Sequence, residues 1–369
     1  MERIKFNENE ITGKYNEARG IKTPVFDYPI APKDNYIAMF NGENPLWMPL
    51  TIEAKGISPK IDPDNIARAF VTEWEPYDNK SQEGGRPDMF GVEWLYVPLV
   101  NGSMVKGGSP TLEEASEWKE KLVFPDVNSW DWEGSAKANA PWFEANKDYV
   151  MGITFLNGTG FERLISFMDF EGAAMALIDD DEKEAVKELC MTICEKVYYP
   201  YLENVKKYYP QIVKVSLHDD WGSQRAPFFS LNSAREVFVP VLQKFAAKCK
   251  ELGLIFELHS CGKNDLVVPA YIEGNVQTWN GMYMNDKRAL FEEYGDKFIF
   301  GVDFPEIAAD PNATEEELYA AAKEFCEFYI RDGKCHCIAA CSRSSGLTGS
   351  ISPYFIECVY KISRQMLNP

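Results

Sequence analysis

From Asp148 to the C-terminus the chain alternates short apolar runs with longer amphipathic stretches, and this alternation constrains the fold most. The pattern predicts strands over 149–156, 212–217, 254–259, 276–279, 298–302 and 335–340. Between them it predicts helices over 161–176, 181–208, 232–251, 264–272, 286–294 and 314–331, with a last one over 352–367. Strand–helix alternation implies parallel strands joined by crossover helices. Six such units, with one or two more from the first half, make a closed (β/α)8 TIM barrel the expected fold, a single α/β domain over 1–369. An open doubly wound sheet is the alternative, but no Gly-x-Gly-x-x-Gly follows a strand.

The first half reads less regularly. Residues 1–40 are polar and punctuated by proline, an irregular N-terminal arm. Residues 44–50 read as a short strand ended by Pro49, and Val92, Trp94 and Tyr96 alternate as one arm of a hairpin. Ser109 and Pro110 open a helix predicted to run to Leu122, and Trp130-Asp131-Trp132 reads as an aromatic loop.

Only three histidines occur in 369 residues, and two of them, His218 and His259, stand where an apolar run breaks into a polar loop containing glycine. In a barrel this is the strand end where chemistry is kept. Residues two apart share a face of a strand. Glu257, His259 and Cys261 therefore face inward, as do Lys214, Ser216, His218 and Asp220 on the strand before. The strand over 298–302 turns Gly301 and Asp303 inward. A polar inner face is not what packing alone selects, because unpaired buried polar groups are costly.

These residues support two chemistries. His259-x-Cys261 offers two zinc ligands on one strand end, and Cys341 offers a third, leaving the open position of a catalytic zinc. Alternatively Glu257, His259, His218 and Asp220 form a metal-free acid–base network. Trp47, Trp94, Tyr96, Trp221 and Trp279 lie near strand ends and are expected either to line a pocket for a flat substrate or to fill core. Arg225 is a candidate for holding an anionic group. Cys190, Cys194, Cys249, Cys326 and Cys358 read as packing residues.

A net charge of −19 disfavours nucleic acid and anionic membrane surfaces as partners. No apolar run has the length of a membrane span, and Met1-Glu2-Arg3-Ile4-Lys5 leads into polar sequence without a signal core. Nine cysteines, an odd number, read as reduced thiols, so a cytoplasmic protein is expected.

The segments Leu258-His259-Ser260-Cys261-Gly262 and Gly301-Val302-Asp303, with Pro45-Leu46-Trp47-Met48, resemble the uroporphyrinogen decarboxylase-like superfamily over most of the chain. That resemblance implies a (β/α)8 barrel. True decarboxylases of the superfamily grip substrate carboxylates with two arginines that follow the Pro-x-Trp-x-Met segment. Here Pro49-Leu50-Thr51-Ile52 follows, and both arginines are missing. His259, Cys261 and Cys341 match the zinc set of the corrinoid-dependent methyltransferase branch. His218-Asp219-Asp220-Trp221-Gly222 and Trp130-Asp131-Trp132 look like methyltransferase components of O-demethylase systems.

The resemblance thus implies transfer of a methyl group from a methoxylated aromatic compound to cob(I)alamin on a separate corrinoid protein. Zinc and that protein's cobalamin are the implied cofactors, and a homodimer the implied assembly. The alternatives are a lyase using Asp303 or Asp88 on pyrrole nitrogens with Arg225 on a carboxylate, and a non-catalytic corrinoid-binding module.

Overall fold

The computed structural model describes residues 2–18, 21–57, 88–97, 102–108, 110–155, 160–341 and 350–369. Its strands are β1 (Ile11–Ala18), β2 (Ile21–Phe26), β3 (Ala54–Ile57), β4 (Trp94–Val97), β5 (Gly102–Val105), β6 (Val150–Phe155), β7 (Lys214–His218), β8 (Ile255–Ser260), β9 (Thr278–Gly281), β10 (Ile299–Asp303), β11 (Ile330–Arg331), β12 (Lys334–Cys335) and β13 (Cys337–Ala340). The helices are α1 (Pro32–Phe40), α2 (Trp118–Lys121), α3 (Trp132–Ala145), α4 (Phe161–Ala176), α5 (Asp180–Ile193), α6 (Tyr199–Tyr208), α7 (Leu231–Ser233), α8 (Val239–Glu251), α9 (Val268–Glu273), α10 (Lys287–Tyr294), α11 (Glu315–Tyr329) and α12 (Pro353–Leu367). Strand–helix alternation from β6 onward is that of an α/β barrel, as expected.

The chain divides into two compact units. The larger comprises Gly56–Lys147 and Met151–Val276, the smaller Met1–Lys55, Asp148–Val150 and Gln277–Pro369. Within the larger unit, β7 lies between β6 and β8, all parallel. The register sets Ser216 beside Glu257 and His218 beside His259. Helices α5 and α6 run on through a π-helical turn, Cys194–Tyr198, with Val186, Leu189, Ile193, Val197 and Val205 buried on one side. Within the smaller unit β10 pairs in parallel with both β9 and β13.

Residues 1–40 are not irregular. Asn7 caps a short turn, β1 and β2 form an antiparallel hairpin, and α1 follows. The cause lies some 350 residues away in sequence. Arg364, fully buried on α12, donates from Nε and Nη2 to Glu10 at 2.8 Å each, and the Tyr360 hydroxyl donates to the same carboxylate at 2.6 Å. No local pattern reveals such a partner.

Residues 44–50 form no strand. The Asn35 side chain accepts the Leu46 N–H at 2.6 Å and donates to the Trp47 carbonyl at 3.1 Å, replacing ladder bonds. Only Leu50 bridges to β13, opposite Ala339. The helix expected over 109–122 shrinks to a turn at Ala115–Glu117 and α2, because the Leu112 N–H bonds to the Phe167 carbonyl instead. Ser109 lies outside the described residues. Trp132, expected in a loop, opens α3, whose N-terminus Asp131 caps at the Gly134 N–H.

Trp47 is fully buried in the smaller unit, and its indole N–H donates to Glu53 Oε1 at 2.7 Å. The Leu50 N–H bonds to the other carboxylate oxygen at 3.2 Å. Burial outweighs these bonds and pushes the Glu53 carboxyl up to about 8. The folded protein therefore holds a proton that the unfolded chain releases at lower pH. Stability from this group is full below about 4.5 and declines as pH rises toward about 8. The slope reaches about 1.4 kcal/mol per pH unit inside that window. Melting curves of wild type and Glu53→Gln, its neutral mimic, should lie closest at the acid end, and wild type should lose stability relative to the variant as pH rises toward about 8.

Candidate metal and acid–base site

The polar inner face of β7 and β8 satisfies itself. Lys214 Nζ lies 2.8 Å from each oxygen of Glu257, and the Ser216 hydroxyl donates to the same carboxylate. These are half-buried or buried groups in a charge-assisted network. Glu257, a candidate general base, is therefore neutralised by a lysine one strand away.

Above this network, at the carboxyl ends of the two strands, His218 and His259 stack with ring centroids 4.8 Å apart. Among the described residues one group of potential metal donors has all its ligand atoms within 4.8 Å of one another: His218, Asp220, His259 and Cys261. His259 Nε2 is 3.3 Å from Cys261 Sγ, and His218 Nε2 is 3.8 Å from Asp220 Oδ1. Asp220 Oδ1 also accepts the Cys261 N–H at 2.6 Å, joining the two loops. The alternation rule thus brought the inward residues of two strands into one group.

Glu162, at the start of α4, lies with Oε2 2.7 Å from His218 Nδ1. Burial opposes a charge on His218, but the Glu162 carboxylate outweighs it and holds the imidazole well above its ordinary value. Asp220 is raised by burial and by Glu162, and the Cys261 thiol is raised by burial, which His218 partly opposes.

Asp219 positions this helix start. Gly160 has no side chain to cap α4, and Asp219 serves instead, accepting the N–H groups of Phe161 at 3.0 Å and Glu162 at 2.8 Å. It also accepts the Trp221 indole N–H at 2.6 Å. A side chain at position 160 would collide with the Asp219 carboxylate, which explains the glycine. Burial, then Glu162, pushes the Asp219 carboxyl up to about 7. Both Glu162 and Asp219 escape a sequence reading. Glu162 is one of many helical glutamates, and the alternation rule turns Asp219 away from the site. Its place beside His218 and Asp220 was the available signal.

Gly262 has φ of 90°, and a Cβ there would lie 2.1 Å from the Gly222 carbonyl oxygen. The loops after β7 and β8 can touch only because both positions are glycine.

Other expected site residues lie elsewhere. Trp221 is fully buried against Phe229, Phe238 and Tyr271. Trp94 is buried with its indole N–H 3.1 Å from Asp88 Oδ2. Trp279 and Trp47 are fully buried in the smaller unit. These four indoles fill core, where large apolar rings gain most from leaving water. The Tyr96 backbone pairs with Ser103 in the β4–β5 hairpin, and its side chain lies outside the described ones. Arg225 is exposed at the tip of a turn closed between Gly222 and Pro227. Asp303 pairs with buried Lys287 at 2.7 Å. Cys341 belongs to the smaller unit and stands outside the donor group. Its amide donates to Thr51 Oγ1 at 2.8 Å, and burial and Glu53 push its thiol up to about 12.

No family model matches the sequence, and no curated protein matches it. Among solved structures the chain is similar to an Ostrinia furnacalis Group IV chitinase, alone and in complex with allosamidin. The complex has a TM-score of 0.34 at 10% identity, covering 67% of this chain and 87% of the chitinase. The chitinase alone gives 0.35 at 10%, covering 66% and 85%. A sugar phosphate isomerase/epimerase from Parabacteroides distasonis gives 0.28 at 9%, covering 70% and 95%. Likeness at this level identifies neither family nor chemistry. No helix among the described residues is long and apolar enough to cross a membrane.

Proposed function

We propose that the protein is an enzyme, a methyltransferase that moves a methyl group from an aryl methyl ether to the cobalt of a corrinoid carried by a separate protein. The observation that carries the reading is the convergence of His218, Asp220, His259 and Cys261 within 4.8 Å. Two imidazoles, one thiolate and one carboxylate suit zinc. Bonds of about 2.0–2.3 Å put neighbouring ligands on a tetrahedral zinc about 3.3–3.6 Å apart, close to the His259–Cys261 separation of 3.3 Å. Glu162 on His218 Nδ1 is the second carboxylate that metal-bound histidines recruit, and it leaves Nε2 for the ion.

When bound, zinc would supply Lewis-acid polarisation of the ether oxygen, whose carbon–oxygen bond otherwise breaks to a phenoxide with conjugate-acid pKa of about 10. Asp220, already bonded to the Cys261 amide, would be the carboxylate donor to such an ion. Glu162 fixes the tautomer and ring plane of His218. Asp219 keeps Glu162 in reach, and the Lys214–Glu257–Ser216 network fixes the strands beneath.

The lyase alternative finds little support. Asp88 is fully engaged in a buried ion pair, 2.6 Å from Arg163, and Asp303 is held by Lys287. Leu46, Trp47 and Met48, in the segment after which decarboxylases place their arginines, are buried core, and so is Leu50 just beyond it.

Incubation with 2-methoxyphenol and cob(I)alamin, free or on a corrinoid protein, tests the proposal. Methylcobalamin absorbance and stoichiometric catechol are expected. Inertness toward a panel of methyl ethers, with porphyrinogen consumed and carbon dioxide released, would replace methyl transfer by the lyase.

A further inference from the structure

The smaller unit holds a cavity of about 190 Å³ between the β1–β2 hairpin and the segment around β3. Asn16, Thr23, Phe26, Tyr28, Lys55 and Tyr149 are among its walls. The chain has 57 acidic residues against 38 basic ones, yet the lining contains one lysine and no carboxylate. Among the described residues no acidic group lies within ion-pair distance of Lys55. Its ammonium instead sits 4.7 Å from the centroid of the Tyr149 ring. Burial lowers its pKa, a sign that water solvates it poorly. Phe26, Tyr28, Asn16 and Thr23 share the cavity wall with that cation and the Tyr149 ring.

We infer that this cavity binds a small aromatic carboxylate, its anionic group on Lys55 and its ring among Phe26, Tyr28 and Tyr149. The volume suits a single ring, since a cavity of about 150 Å³ accepts benzene. The polar wall and lone cation favour an anion over a hydrocarbon. The site is built from other residues than the metal group and stands or falls independently of methyl transfer.

Titration calorimetry of the full-length protein with sodium benzoate tests it, with benzamide and acetate as comparators. Benzoate should bind saturably with Kd of about 10 mM or tighter. Benzamide, lacking the charge, and acetate, lacking the ring, should each bind at least about tenfold more weakly. Lys55→Met should weaken benzoate about tenfold or more while melting at the wild-type temperature, and Lys55→Arg should retain most of the affinity. Should Lys55→Met fail to fold, Tyr149→Leu, which removes the ring but keeps the cation, should weaken benzoate but not acetate. No saturable benzoate binding to wild type, or binding unchanged in a folded Lys55→Met, would overturn the inference.

Discussion

Replacing Cys261 by serine is expected to abolish metal retention and methyl transfer together while leaving the fold intact. The side chain is half-buried, and its backbone N–H is held by Asp220 at 2.6 Å, a bond the substitution keeps. Serine is nearly isosteric, so packing changes little. It removes the one soft donor of the group, 3.3 Å from His259 Nε2. Loss of a partner outside the coordination sphere already costs about 10–100-fold in metal affinity, and loss of a ligand should cost at least about a hundredfold. Lewis-acid stabilisation worth several kcal/mol is about a thousandfold or more in rate. Dialysis against a graded series of chelators and the methyl-transfer assay check both effects. A variant that keeps its metal and its rate would remove Cys261 from the centre.

Asp219→Ala is expected to give the largest loss of stability near the site. It leaves the Phe161 and Glu162 amides and the Trp221 indole N–H without their acceptor in a buried place. At about 1–3 kcal/mol for each buried donor left unpaired, the cost is about 3 kcal/mol or more. Relief of a buried carboxylate near Glu162 offsets part of this above the Asp219 pKa of about 7, so the loss should be larger at pH 6 than at pH 8. With the start of α4 released, Glu162 should leave His218, whose pKa should then fall toward the ordinary histidine value. Urea unfolding at both pH values and an NMR titration of His218 test the two parts separately. An unchanged urea midpoint would contradict the capping role.

Much of this was legible in the sequence because it depends on local period. The helices from α4 onward and the strands β6 to β10 and β13 follow apolar spacing, whereas Ile330–Arg331, read as the end of a helix, pairs as β11 with β12. The period of two on β7 and β8 put Lys214, Ser216, Glu257, His218 and His259 on one inner side, where they meet. What escaped depends on partners distant in the chain. The β1–β2 hairpin is anchored by Arg364 through Glu10, and residues 44–50 lost their strand to the Asn35 side chain. Tryptophans near strand ends cannot be told from pocket walls by position, since aromatic area suits either. Cys341 entered the expected metal set as a cysteine at another predicted strand end, with the resemblance in support, whereas Asp220 and His218 join the group through the pairing of β7 with β8.

The most direct test of the metal centre is X-ray absorption at the zinc edge, on protein purified without chelator and brought to one zinc per chain. A centre built from His218, His259, Cys261 and Asp220 predicts one sulfur at about 2.3 Å and the remaining ligands nitrogen or oxygen at about 2.0–2.1 Å, with imidazole scattering from two rings. Two sulfurs bound to the zinc would contradict this donor set, which contains one cysteine. Failure to retain zinc at all would contradict the centre and leave His218, with Glu162 behind it, as the acid of the site.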